Sequence, residues 1–190
     1  ELKRCQQANG NGYIGGVPGS KAVWNEIAAG KIDAGGFSLN GRWVPLYNIH
    51  KTFAGLRDAY LVAGKKYARD MLVAMSDWAI NLTADLSDEQ MQDMLRSEHG
   101  GLNEVFADVA AITGEEKYLT LAHRFSHNHV LDPLMAGRDE LTGMHANTQI
   151  PKVIGFKRIA DLEANESWDK AARFFWESVV TNRSVSIGGN

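Results

Sequence analysis

Three helix breakers divide the chain at regular intervals. Gly64, Gly114 and Asn165 stand 50 and 51 residues apart. An aromatic side chain follows each by three or four residues, at Tyr67, Tyr118 and Trp168. A histidine precedes each pair of segments, at His50, His99 and His145, with spacings of 49 and 46 residues. A period of this length is the mark of stacked helical hairpins, each burying one face against its neighbours. The shared unit is histidine, helix, tight turn, aromatic, helix. The expected hairpins run over about 50–81, 99–130 and 145–180. Two architectures use such units, an open α-solenoid and a closed toroid.

The segments between breakers carry helical spacing. Phe53, Leu56, Ala59, Tyr60 and Ala63 share one face, and Tyr67, Met71, Ala74, Met75 and Trp78 share the next. Ser87-Asp88-Glu89-Gln90 is a capping box opening a short helix to Leu95, with Asp88 and Glu89 suited to its first turn. Leu102–Ile112 and Glu115–Val130 form a second pair, and Asn147–Glu163 and Ser167–Val180 a third. Period-2 alternation is nearly absent, so the expected fold class is all-α. Met71, Met75, Met91 and Met94 are expected in the core, as are Phe174, Phe175 and Trp176. Cys5 is expected in a frayed end.

Glycine is concentrated before the first hairpin. Nine of the 19 glycines fall in residues 10–41, so residues 8–46 read as one long loop. Loops of that length are uncommon and often functional. Tyr13, Trp24 and Trp43 make it either a substrate-binding loop or a surface connection, and Lys21–Ala29 within it is a candidate helix.

Composition narrows the function. With 20 Lys+Arg against 23 Asp+Glu the chain lacks the basic surplus of a nucleic-acid binder. Its single cysteine permits neither an internal disulfide nor a cysteine-rich zinc site. No apolar stretch reaches the roughly 20 residues of a membrane span. The chain opens Glu1-Leu2-Lys3 and closes Ser186-Ile187-Gly188-Gly189-Asn190, and both ends read as cuts in a longer chain. Export stays open on this reading.

The repeat places His50, His99 and His145 at or just before the start of each unit's first helix, hence at one end of the assembly. Helix N-termini there offer free N–H groups. Tyr47, Asn48, Glu98, Asn103, Asn147, Thr148 and Gln149 add polar companions, the mixture a sugar requires. A second cluster, His123, His127 and His129, has two members at i and i+4, but its expected role is a polar helix end. Glu98 and Glu104 are the carboxylates nearest the histidines, and a supporting hydrogen-bonding role is expected of them. No phosphate loop, nucleophile elbow or dinucleotide fingerprint is present.

The strings YNIHKTFAGLRDAYLVAG (47–64), EHGGLNEVFADVAAITGEEKYL (98–119) and HANTQIPKVIGFKRIADL (145–162) resemble the catalytic domain of glycoside hydrolase family 127 and its relative, family 146. The resemblance runs from about Asn11 to Asn190. It implies part of an (α/α)6 toroid and retaining hydrolysis of terminal β-L-arabinofuranose in plant cell-wall glycans or glycoproteins. It implies that His50, His99 and His145 hydrogen-bond the sugar; Tyr47, Glu98, Asn147 and Gln149, their polar companions in the repeat, are expected to bind it beside them. It also implies a cysteine nucleophile on zinc, held by three cysteines and a glutamate, with a second glutamate as acid/base. None of these groups has a counterpart here, and the family's motifs for them fall after Asn190. No catalytic or metal residue is therefore expected within the 190 residues, and the chain's missing remainder is an implied partner. Other six-hairpin sugar enzymes, such as unsaturated uronyl hydrolases or N-acyl sugar epimerases, are the alternative, followed by a non-catalytic repeat scaffold.

Overall fold

A computed structural model describes residues 1–189. The chain is all-α apart from a minimal sheet, and it forms an arc of helical hairpins from an (α/α)6 toroid. The hairpins are α3 (Pro45–Leu61) with α4 (Lys66–Thr83), α6 (Leu102–Thr113) with α7 (Glu116–Arg124), and α9 (Ala146–Glu163) with α10 (Glu166–Glu177). Short helices α5 (Asp88–Met94) and α8 (Asn128–Met135) join them. Helices α1 (Leu2–Asn9) and α2 (Ser20–Ala28) precede them, and a π-helical turn, Ser178–Arg183, follows α10.

Each hairpin forms where the breakers predict. Gly64 and Gly114 take the left-handed conformation at φ 64° and 75°, and Ala164 takes it at φ 53° without glycine's freedom. Ser87 and Gln90 close the predicted capping box in both directions. Leu46, Ile49, Phe53 and Leu56 form the buried stripe of α3, and Leu102, Val105, Phe106 and Val109 that of α6. The first helices lie side by side, with α6 packed between α3 and α9. A charge ladder crosses all three. Arg57 of α3 donates to Glu104 (3.0 Å) and Asp108 (2.9 Å) of α6, and Arg158 of α9 donates to the other oxygen of Asp108 (2.7 Å).

The core has two lobes. The larger joins α2, α3, α4, α6 and α7 around Phe53, Phe106 and Phe125. The smaller joins α8, α9 and α10 around Phe156 and Phe175. Trp168 packs against both. The four helical methionines are buried as expected, and so is Phe175, but Trp176 is 69% exposed. It lines an open groove with Ile150, Val153 and Ile154 of α9 instead of being covered.

Four local expectations need correction. The segment 8–46 is no structureless loop: it holds α2 and three antiparallel two-residue strands, β1 (Ala34–Gly35), β2 (Ser38–Leu39) and β3 (Arg42–Trp43). Strands that short cannot display alternation. Cys5 lies within α1, where Gln6 anchors the helix by donating to the carbonyls of Gly12 and Met71. Residues 115–130 are not one helix, because the chain turns at Phe125–His127 between α7 and α8. The repeated aromatic is not used alike, since Tyr118 is buried while Tyr67 is 54% exposed.

Candidate functional site

The loop from Ser97 to Gly101, ahead of α6, is the centre of the site. Glu98 donates its backbone N–H to the carbonyl of Gly36, which ties this loop to the small sheet. The Thr148 hydroxyl on the first turn of α9 reaches the Glu98 carboxylate at 3.4 Å. Phe37 of the sheet's first turn meets the edge of His145 at a centroid distance of 5.8 Å, and the exposed Trp43 stacks on Phe37. Gly100 turns the loop at φ 59° and leaves room for the His50 ring beside it.

Two adjoining cavities open beside this loop, and no residue from Ser97 to Gly101 lines either of them. One, of about 550 Å³, is lined by Phe37, His127, His145, Thr148, Gln149 and Lys152 among others. The second, of about 710 Å³, shares His145 and Gln149 and adds Asn147.

Burial sets the protonation of the rings. His99 is fully buried, and His50 and His127 are 7% and 6% exposed. Burial, aided by Lys51 and Arg57, lowers His50 to about 4. Burial, aided by Lys152, His129 and Arg96, lowers His127 to about 3. His99 is pushed well below the usual imidazole range by burial and then by Lys152. All three rings are neutral at pH 7. Lys152, 2% exposed, is lowered to about 8 by burial against the pull of Glu98.

Neutral rings donate at one nitrogen and accept at the other, and their neighbours say which. His99 Nδ1 lies 3.0 Å from the Ser97 carbonyl, an acceptor only, so His99 carries its proton on Nδ1 and keeps a lone pair on Nε2. That Nε2 is buried without a protein partner, as are His50 Nδ1, Ser97 Oγ and Gln149 Oε1. Buried polar atoms are normally paired, and each unmade bond costs about 1–3 kcal/mol. A ligand with hydroxyl groups satisfies such atoms.

Among the described residues no group of three His, Cys, Asp or Glu side chains is placed to hold a metal ion, and Cys5 is exposed.

The family model for the β-L-arabinofuranosidase catalytic domain of glycoside hydrolase family 127 matches residues 1–190. The chain belongs to family 127. A comparison with curated proteins found no match.

Against this family 127 frame, the predicted site residues separate. His145, Gln149 and Thr148 line the cavities, with Asn147 on the second of them, and Glu98 joins through Thr148 without lining either. His50 is the sixth residue of α3 rather than its start, and it lies with Tyr47 on the far side of Gly100. His50 and His99 sit behind the cavity walls, so the repeat does not deliver three equivalent histidines. Glu104 belongs to the charge ladder. Tyr13 and Trp24 are buried and packed on Trp78, where they line a separate cavity and neither of the two beside His145, whereas Trp43 is surface-exposed near His145.

Sequence reasoning missed His127 and Lys152. His123 does lie at a polar helix end, paired with Glu163 at 2.8 Å. His127 instead begins α8, buried, with its ring 5.9 Å from that of His99. The missed signal was a lysine at the seventh position after His145, on the face of α9 that Val153 and Phe156 also bury.

Proposed function

We propose that this glycoside hydrolase chain forms the sugar-binding wall of a retaining β-L-arabinofuranosidase acting on plant cell-wall glycans or glycoproteins. The observation that carries the reading is the pairing of a neutral, buried imidazole at His127 and the unpartnered Gln149 Oε1 with cavities of sugar size at the start of α9. A furanose hydroxyl both donates and accepts. Gln149 Oε1 is an acceptor for such groups, His145 and Asn147 extend the polar lining, and the buried His99 backs the wall behind His127. Glu98, held by Thr148, adds a negative acceptor. The paired rings of Phe37 and Trp43 beside His145 give an apolar face for the sugar's C–H groups.

These roles are binding and orientation. The nucleophile, the acid/base and any zinc ligands are proposed to lie outside the described residues. Turnover of an aryl β-L-arabinofuranoside tests the reading. The 190 residues alone are expected to be inactive. In the active enzyme that contains them, His145→Ala or Gln149→Ala is expected to lower kcat/KM about 10- to 100-fold, the effect of one or two lost hydrogen bonds. Hydrolysis by the 190 residues alone, or full activity in both variants, refutes it.

A further inference from the structure

Lys152 is a buried cation with an unusual neighbour. At 2% exposure it has no carboxylate at ion-pair distance among the described residues. The hydrogen bond its ammonium makes runs to Nδ1 of His127, at 3.0 Å. Glu98 influences it only through space. Its backbone carbonyl is held by the Asn103 amide (2.9 Å), and Gly155 gives Asn103 the room to reach it, since a Cβ there would overlap the Asn103 side chain. The backbone at Lys152 is thus held while the side chain's charge stays uncompensated. Burying an ammonium in that way is costly, and a hydrophobic side chain of similar volume would remove the penalty.

An ammonium can only donate. His127 Nδ1 must therefore supply the lone pair, and a neutral ring then carries its proton on Nε2. His99, 5.9 Å away, is set the opposite way by the Ser97 carbonyl. Two facing rings hold opposite tautomers.

We infer that Lys152 is a positioning residue: its ammonium fixes His127 as the Nε2–H tautomer, so that this ring can offer the cavity a donor. As a statement about sugar recognition this rests on the proposed function. As a statement about His127 it does not.

Histidine-labelled protein examined by nitrogen NMR tests it, because the two ring nitrogens report which one is protonated. His127 is assigned by loss of its signals in His127→Asn. At pH 7 the unsubstituted protein is expected to show His127 neutral with its proton on Nε2, and His99 neutral with its proton on Nδ1. Lys152→Met is expected to release His127 into a mixture of tautomers while the melting temperature holds or rises. Lys152→Arg, which keeps a charged donor, is expected to restore the single form. An unchanged His127 tautomer in Lys152→Met overturns the inference. So does a His127 that carries its proton on Nδ1, or on both nitrogens, in the unsubstituted protein, a result that needs no variant to fold. The readout contains no sugar, so it holds or fails independently of the glycosidase reading.

Discussion

Gly100 and His50 share a space with no room for a methyl group. A Cβ on Gly100 would fall against Nδ1 of the His50 ring, and the backbone at φ 59° is strained for any residue that has one. The turn that delivers His99 to α6 is thereby locked to the second turn of α3. Gly100→Ala is expected to lose about 1–2 kcal/mol from the left-handed backbone and about 1–3 more from overpacking. Urea unfolding measures the sum, and a loss under 1 kcal/mol would show that the loop and ring are free to separate.

Asp108 holds the three first helices together by accepting from Arg57 and Arg158 at once. The side chains of Asp108 and Arg57 are 14% and 16% exposed, so water replaces the lost contact poorly. Asp108→Ala is expected to destabilise by about 1–3 kcal/mol in thermal or urea unfolding. Glu166→Ala removes an ion pair whose partners are 86% and 76% exposed, and is expected to shift stability by less than about 0.5 kcal/mol. Equal effects would contradict the assignment of the ladder as the tie between hairpins.

The buried rings make folding sensitive to acid. His50 and His127 titrate at about 4 and about 3 in the folded chain, against 6.5 when unfolded, chiefly because of burial. Below pH 6.5 the unfolded chain binds protons first. Their contribution to stability is therefore complete above 6.5 and falls toward those lower values, by up to about 1.4 kcal/mol per pH unit for each ring. Lys152, at about 8 against 10.5, follows the same sign, so stability is expected to rise again between those values. Unfolding midpoints across pH 4.5–7 check the acid limb, which His127→Asn should flatten. A midpoint independent of pH in that range would mean the rings are solvated.

The hairpins were legible because their signals are local. Gly64, Gly114 and the Ser87 box act within a few residues of themselves, and the apolar stripes of α3 and α6 repeat at helical spacing. The turn that separates His127 from α7 has no such signal. It contains neither glycine nor proline, and it is held from a distance, where the Gln92 side chain donates to the Ser126 carbonyl and accepts the Asn128 N–H. The i, i+4 spacing of His123 and His127 therefore pointed to a shared helix face that does not exist. Lys152 was invisible for the same reason, since its partner lies 25 residues away. Tyr13 and Trp24 misled in the other direction: a glycine-rich setting resembles a surface loop, yet both rings close over Trp78 in the core.

Titration with methyl β-L-arabinofuranoside, followed by NMR of the histidine rings, tests the central claim most directly. Sugar bound at the cavities ahead of α9 is predicted to shift the ring signals of His127 and His145, and of His99 packed against His127, while leaving His123, paired with Glu163 outside the site, unmoved. Gln149→Ala is predicted to weaken that response. Saturating sugar that leaves all three rings unshifted, or that moves His123 instead, would contradict it.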